Sequence, residues 1–193
     1  LSVFSGGCSL EGAEAICSDE QIESWEILDL LQSLVDKSLA NFDESLQRYR
    51  LSETVRAYGR DALVANGESP AMRNRHLSHF GQMAERTEDL LASPQAVEAL
   101  AALDAEVRNL RAAIDWGLEE GDPIQAVRMA NALSVFYQTR GEFTEGSTIY
   151  QSLLERVPFD AKAERAGAMA NLGVLGFRLT QYESAQDTLK CAL

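Results

Sequence analysis

The stretch RGEFTEG at 140–146 returns in outline as LTQYESA, 39 residues further on. Phe143 falls over Tyr182 at this offset, Leu133 over Leu172 and Ser134 over Gly173. Gly146 then falls over Ala185, Tyr150 over Leu189 and Leu154 over Leu193. Self-similarity at a fixed period of this length is the signature of stacked supersecondary units. Each unit buries its apolar face only against its neighbours, so the chain is restricted to an array that grows in one direction.

The surrounding sequence agrees with helical units. From Ser69 onward, apolar positions recur at helical spacing, and no strand pattern interrupts them. Ser69-Pro70 and Ser93-Pro94 read as N-cap plus N1-proline starts. Helices are expected at about 70–91, 94–119, 123–139, 142–157, 162–179 and 182–193, joined by EEGD, RGE, PFDA and TQ. Tight turns between consecutive helices make antiparallel neighbours, hence an α-solenoid or bundle. The clearest units are about 127–160 and 166–193, the second truncated.

Each aligned position has a packing reason. Ser134 and Gly173 let paired helices approach, Phe143 and Tyr182 fill the space between them, and Gly146 and Ala185 keep the crossing tight. Pro158 ends the second helix. The pattern resembles a degenerate tetratricopeptide repeat of 34 residues with a short insertion near VPFDAKA. The alternative is an unrelated helical bundle whose turns happen to align. In either case RGEFTEG is a corner, with Gly141 ending one helix and Thr144 able to cap the next. It lacks the lysine and hydroxyl of a phosphate-binding GxxxxGK[ST] loop, and no strand precedes it.

Residues 1–68 follow a different pattern. Ser9 can cap a short helix (SLEGAEAIC), and Ser24 a second (WEILDLLQSLVDKSL) with a one-sided stripe of Ile27, Leu28, Leu31, Leu34 and Val35. SLANF and RYRLS then alternate around DES, which predicts a β-hairpin turned by Asp43 and Ser45. Ser52 caps a third helix that Gly67 closes. This is the order of a winged-helix module whose first helix is missing. The whole chain is therefore expected to be mainly α, a winged-helix-like module at 1–68 followed by linker helices and an antiparallel helical-repeat solenoid at 69–193. The opening run LSVF has no basic stretch before it and is not read as a secretory signal. Both ends are expected to be cuts within a longer protein.

Charge and cysteine content remove several function classes. Residues 1–68 carry 5 basic against 13 acidic side chains, net −8, and residues 69–193 carry 12 against 17, net −5. Nucleic-acid binding needs a clustered basic face, which neither half offers. The helix at 24–37, in the slot of a recognition helix, exposes Glu26, Asp29, Asp36 and Lys37. The basic candidates are Arg48 and Arg50 on the wing, then Arg56 and Arg60. DNA contact through this chain is not expected. Three cysteines without a CxxC, and two histidines, suggest no zinc site or disulfide framework but free thiols in a reducing cytoplasm. No apolar run approaches the ~20 residues of a membrane span.

One candidate ligand patch remains. Arg73, Arg75, His76 and His79 share a helix and could face an anion or acidic partner; the alternative is a helix face packing on the winged-helix module. Asp104–Arg108 and Asp115–Arg111 are i, i+4 pairs expected to form structural salt bridges. Trp25 and Trp116 read as core or interdomain anchors. No catalytic set, cofactor-binding loop or metal-ligand spacing survives.

LSVFSGGCSLEGAEAIC, LLQSLVDKSL, YRLSETVRAYGRDAL, RNRHLSHF, AEVRNLRAAIDWGLEEGD and RGEFTEG occur in this order. As a set they resemble the region behind the ATPase core of bacterial STAND-class signal-transduction ATPases, including LuxR-type and AfsR-like transcriptional regulators. The resemblance implies an upstream nucleotide switch using ATP or ADP, against which the winged-helix module packs. It implies repeats that receive a protein or small effector. In characterised relatives a winged-helix histidine can touch the nucleotide; residues 1–68 contain none, so this chain is expected to hold no nucleotide. The function expected is a non-catalytic, protein-interaction part of such a regulator. The alternative is a winged-helix DNA-binding transcription factor with a helical dimerisation arm.

Overall fold

A computed structural model describes residues 1–192. The chain divides into two compact units, Leu1–His79 and Phe80–Leu193. The division falls inside a long helix, eleven residues beyond the boundary placed at 68 from the sequence.

In the first unit, α1 (Leu10–Cys17) is capped by Ser9, whose Oγ accepts from Gly12 N at 3.1 Å. The polar break after it holds a single 3₁₀ turn at Ser24–Glu26, and α2 (Ile27–Asp36) follows. Ser24 is therefore not a cap. Glu23 takes that place, its N–H donating to the Glu26 carboxylate at 2.9 Å. Strands β1 (Ala40–Asp43) and β2 (Arg48–Leu51) pair antiparallel, Ala40 opposite Leu51 and Asp43 opposite Arg48. The turn is held by Asp43, whose Oδ1 accepts from the N–H of Ser45 and Leu46 and from the Ser45 hydroxyl. Cys8 adds a bridge on the other side of Tyr49 through two backbone bonds of 2.9 and 2.8 Å. Helix α3 (Glu53–Ala65) starts on Ser52 and ends on Gly67, at φ +73°. Glu68 N donates to Leu63 O and Gly67 N to Val64 O, closing the helix end with its orphan carbonyls satisfied. Phe4, Ala13, Ile16, Ile27, Leu31, Ala40 and Leu77 are all buried.

Helix α4 (Ser69–Leu91) runs across the division. Its ladder already begins with Met72 N donating to Glu68 O, so Ser69 lies inside the helix instead of capping it. The second unit continues with α5 (Ala96–Glu119), α6 (Pro123–Ala132), α7 (Ser134–Arg140), α8 (Phe143–Arg156), α9 (Lys162–Arg178) and α10 (Tyr182–Cys191). Ser93 caps a turn, its Oγ accepting from Gln95 N at 3.1 Å, and α5 starts two residues later than the sequence suggested. The helix expected at 123–139 is interrupted at Leu133, where one N–H is shared between Met129 O (3.1 Å) and Ala130 O (3.2 Å). That tightening toward 3₁₀ geometry separates α6 from α7.

The molecule is thus mainly α, with a winged-helix hairpin followed by helical repeats. The repeat extends to backbone detail at its corners. Glu142 N donates to Tyr137 O and Gly141 N to Gln138 O; 39 residues later Gln181 N donates to Gly176 O and Thr180 N to Phe177 O. Gly141 and Thr180 both sit in the left-handed region, at φ +73° and +62°. Leu193, the expected partner of Leu154, lies outside the described residues.

The two corners carry opposite strain. A Cβ at Gly141 would meet nothing within 4 Å, so Gly141→Ala is opposed by backbone conformation alone. The substitution is expected to cost about 1 kcal/mol, whereas Thr180→Gly is expected to stabilise by up to about 1 kcal/mol. Urea denaturation of the two variants checks this; shifts of the same sign would break the equivalence of the corners.

Candidate functional site

Every charged side chain of RGEFTEG is engaged with α5. Arg140 donates from Nε to Asp104 Oδ1 at 3.0 Å, with its Nη2 on Oδ2. Arg111 takes Glu142 at 3.3 Å and Glu145 through a second contact. Asp115 on the same helix has its carboxyl raised above the ordinary range, first by burial and then by Glu119, with Arg111 opposing. Asp104 therefore reaches across to α7 instead of along α5 to Arg108. The corner is a clamp between helices, and Thr144 is its second helical residue, not its cap; Glu142 holds the cap position.

The repeat-packing residues separate into two groups. Leu133, Gly146, Gly173 and Ala185 are buried, and Ser134, Phe143 and Leu172 half-buried. At Gly146 a Cβ would lie 2.7 Å from Leu175 Cδ1 and 3.2 Å from Tyr137 Cγ. At Gly173 it would lie 2.5 Å from Leu189 Cγ and 3.3 Å from Ala185 O. At both crossings a Cβ would displace a neighbouring leucine side chain. Tyr182 does not fill an interhelical space: it is 57% exposed and meets Phe177 edge-on at 5.3 Å.

Between the helices runs a polar seam that the sequence did not disclose. The buried Tyr150 hydroxyl donates to Ala130 O at 2.6 Å. Asn171 Nδ2 donates to Asn131 Oδ1, and Asn131 Nδ2 to Glu164 O, each at 3.2 Å. Arg128 closes the seam on Glu164, donating from Nε at 2.9 Å and from Nη2 at 2.7 Å. That hydrogen bond holds the Glu164 carboxyl below its ordinary range. The partners lie 20 to 40 residues apart, beyond any local spacing rule.

The candidate anion patch does not assemble as an exposed surface. Arg75 Nη1 donates to Ser18 O at 2.9 Å and Ile16 O at 3.4 Å, covering the end of α1, with Asp19 at 3.9 Å. His76 is buried, edge-on to Phe4 at 5.5 Å. Arg73 and His79 are half-buried. The basic residues around the hairpin are also engaged: Arg48 is buried and donates to Gly7 O at 2.8 Å, and Arg56 pairs with Glu53 at 2.9 Å and reaches Phe4 O. Arg60 lies 3.6 Å from the same glutamate. Arg50 is exposed, close enough to Asp43 to help lower its carboxyl after the Ser45 and Leu46 hydrogen bonds. Trp116 is a core residue, but Trp25 is 68% exposed, its indole N–H donating to Glu23 at 2.6 Å.

An open apolar groove of about 760 Å³ lies on α9 and α10. Phe177 is 61% exposed there, and Val174 and Leu189 each 37%. Among the described residues no group of three or more His, Cys, Asp or Glu could hold a metal ion, and no helix is long and apolar enough to cross a membrane.

A Mycobacterium tuberculosis protein provisionally named an HTH-type transcriptional regulator is 32% identical to the chain over 181 residues, 91% of this chain and 20% of that protein. A Mycobacterium bovis protein of the same description matches to the same extent. An uncharacterized M. tuberculosis protein is 36% identical over 85 residues, 42% of this chain and 22% of its own. The chain spans about one fifth of the length of the curated relatives it matches. No family model and no solved structure matches it.

Proposed function

We propose that this chain is a non-catalytic regulatory part of a multidomain transcriptional regulator, acting through protein contacts on its helical repeats. The observation that carries this reading is the open apolar groove on the repeats of an acidic chain whose hairpin arginines are mostly engaged internally. The similarity to provisionally named HTH-type transcriptional regulators supports the regulatory role.

In its finer form, the regulator is of the STAND class, related to LuxR-type and AfsR-like proteins, and works in the bacterial cytoplasm. Its ATP- or ADP-binding core lies outside these residues. The winged-helix unit packs against that core and relays its nucleotide state, and the tetratricopeptide-like repeats receive a protein or small effector. The purified chain is expected to hydrolyse no ATP above a buffer control in a phosphate-release assay. Turnover that follows the protein through purification would overturn the reading.

A second reading, a winged-helix DNA binder with a helical dimerisation arm, is favoured by the names of the relatives. Charge argues against it. Glu26 at the start of α2, with Asp29 and Asp36 on it, would face phosphates with like charge.

A further inference from the structure

The first helical segment of one repeat is broken at Leu133, and the same position in the next repeat is not. Leu133 has φ −84° and ψ 2° between α6 and α7, whereas Leu172, 39 residues on, lies within the continuous helix α9. The carbonyl at the break has two donors. Ala130 O accepts from Leu133 N, three residues on, at 3.2 Å, and from the Tyr150 hydroxyl at 2.6 Å. In an unbroken helix it would accept from the amide four residues on, that of Ser134. Tyr150 is fully buried, where a hydroxyl left without an acceptor is costly, and this carbonyl is the acceptor it takes. A side chain that enters the i to i−4 ladder is one of the few physical causes of a helix break. The next repeat supplies the comparison. There the counterpart of Tyr150 is Leu189, which has no hydroxyl, and the counterpart of Ala130 is Met169, inside unbroken α9.

We propose that the Tyr150 hydroxyl is the latch that breaks this helix, a positioning role exerted through the Ala130 carbonyl. The break gives two directions to one helical segment. On one side α6 brings Arg128 and Asn131 to Glu164 of α9. On the other α7 carries Arg140 to Asp104 of α5. With the hydroxyl gone, Ala130 O takes the Ser134 amide and α6 and α7 join into one helix, as α9 is. The latch belongs to the repeat itself and is independent of what the repeats or the winged-helix unit bind.

Tyr150→Phe keeps the ring and removes the hydroxyl. Amide hydrogen exchange of the purified chain, followed by NMR, compares Ser134 with Gly173, its counterpart in α9. In the wild type the protection factor of Ser134 is expected to lie at least about tenfold below that of Gly173, because a ladder bond is missing there. In Tyr150→Phe the Ser134 protection factor is expected to rise at least about fivefold, with the Cα shift of Leu133 moving into the helical range. A general loss of stability lowers protection factors, so packing alone cannot produce this rise. Unchanged or lowered protection at Ser134 in the variant would overturn the proposal, since the break would then have another cause. Equal protection of Ser134 and Gly173 in the wild type would overturn it as well.

Discussion

Tyr150→Ala is expected to destabilise the repeat unit by about 3–5 kcal/mol, the range for removing a large buried aromatic. Tyr150 is fully buried, stands edge-on to Tyr137 at 6.5 Å, and donates to Ala130 O at the break between α6 and α7. Truncation leaves a cavity where α6, α8 and α9 meet and removes the hydroxyl's hydrogen bond to Ala130 O. Tyr150→Phe keeps the ring and is expected to cost only about 1 kcal/mol, the net worth of a buried hydrogen bond. Urea denaturation separates the two.

The same residue gives a pH signature. Burial is the main cause that holds the phenols of Tyr150 and Tyr137 above the ordinary tyrosine range. Above about pH 10 the unfolded chain loses these protons while the folded chain keeps them. Stability from this source is therefore fully present below pH 10 and falls above it, by up to about 1.4 kcal/mol per pH unit for each tyrosine. Tyr150→Phe should remove about half of that slope.

Gly146→Leu is expected to cost about 2 kcal/mol. Overpacking a filled crossing typically costs about 1–3 kcal/mol, and the gain in helix propensity over glycine, about 0.8 kcal/mol, offsets part of a value at the upper end. A Cβ here already meets the flexible end of Leu175 and the Tyr137 ring, so the rest of a leucine has no space without displacing α9. Gly146→Ala is milder, because Leu175 Cδ1 can swing aside. At the equivalent crossing Ala185 carries the Cβ, and Gly176 has replaced the aromatic it would strike, with a Cβ-to-Cβ distance of 3.3 Å were one present. The two repeats thus fill one crossing with opposite choices of small and large. Equal midpoints for Gly146→Leu and wild type would show that the crossing is loose.

Features governed by local chemistry were legible in the sequence. Ser9, Ser52, Gly67 and Gly141 act where the helix patterns placed them, because a cap depends on residues within one turn. Ser24, Ser69 and Ser93 were misplaced because a 3₁₀ turn, an earlier helix start and a capped turn each moved the boundary by one to three residues. Such shifts are decided by backbone bonds that composition does not reveal. The 39-residue repeat was visible because packing keeps small residues at crossings, although its aromatic position proved partly solvent-facing at Tyr182. Ion pairs were the least legible. Asp104–Arg140 and Arg111–Glu145 span 36 and 34 residues, and a rule based on one helix face selects intrahelical partners instead. Likewise the spacing of Arg75 and His76 left an anion patch and a packing face both open, and only the fold shows the end of α1 and the ring of Phe4 against them.

In the proposed function this chain regulates through protein contacts and not by holding DNA. Titration of the purified chain into labelled duplex DNA at about 50 mM salt tests it most directly, since counterion release makes phosphate contacts strongest there. No saturable binding is expected. Binding that weakens linearly in log–log form as salt is raised, with a slope of several phosphate contacts, would contradict it.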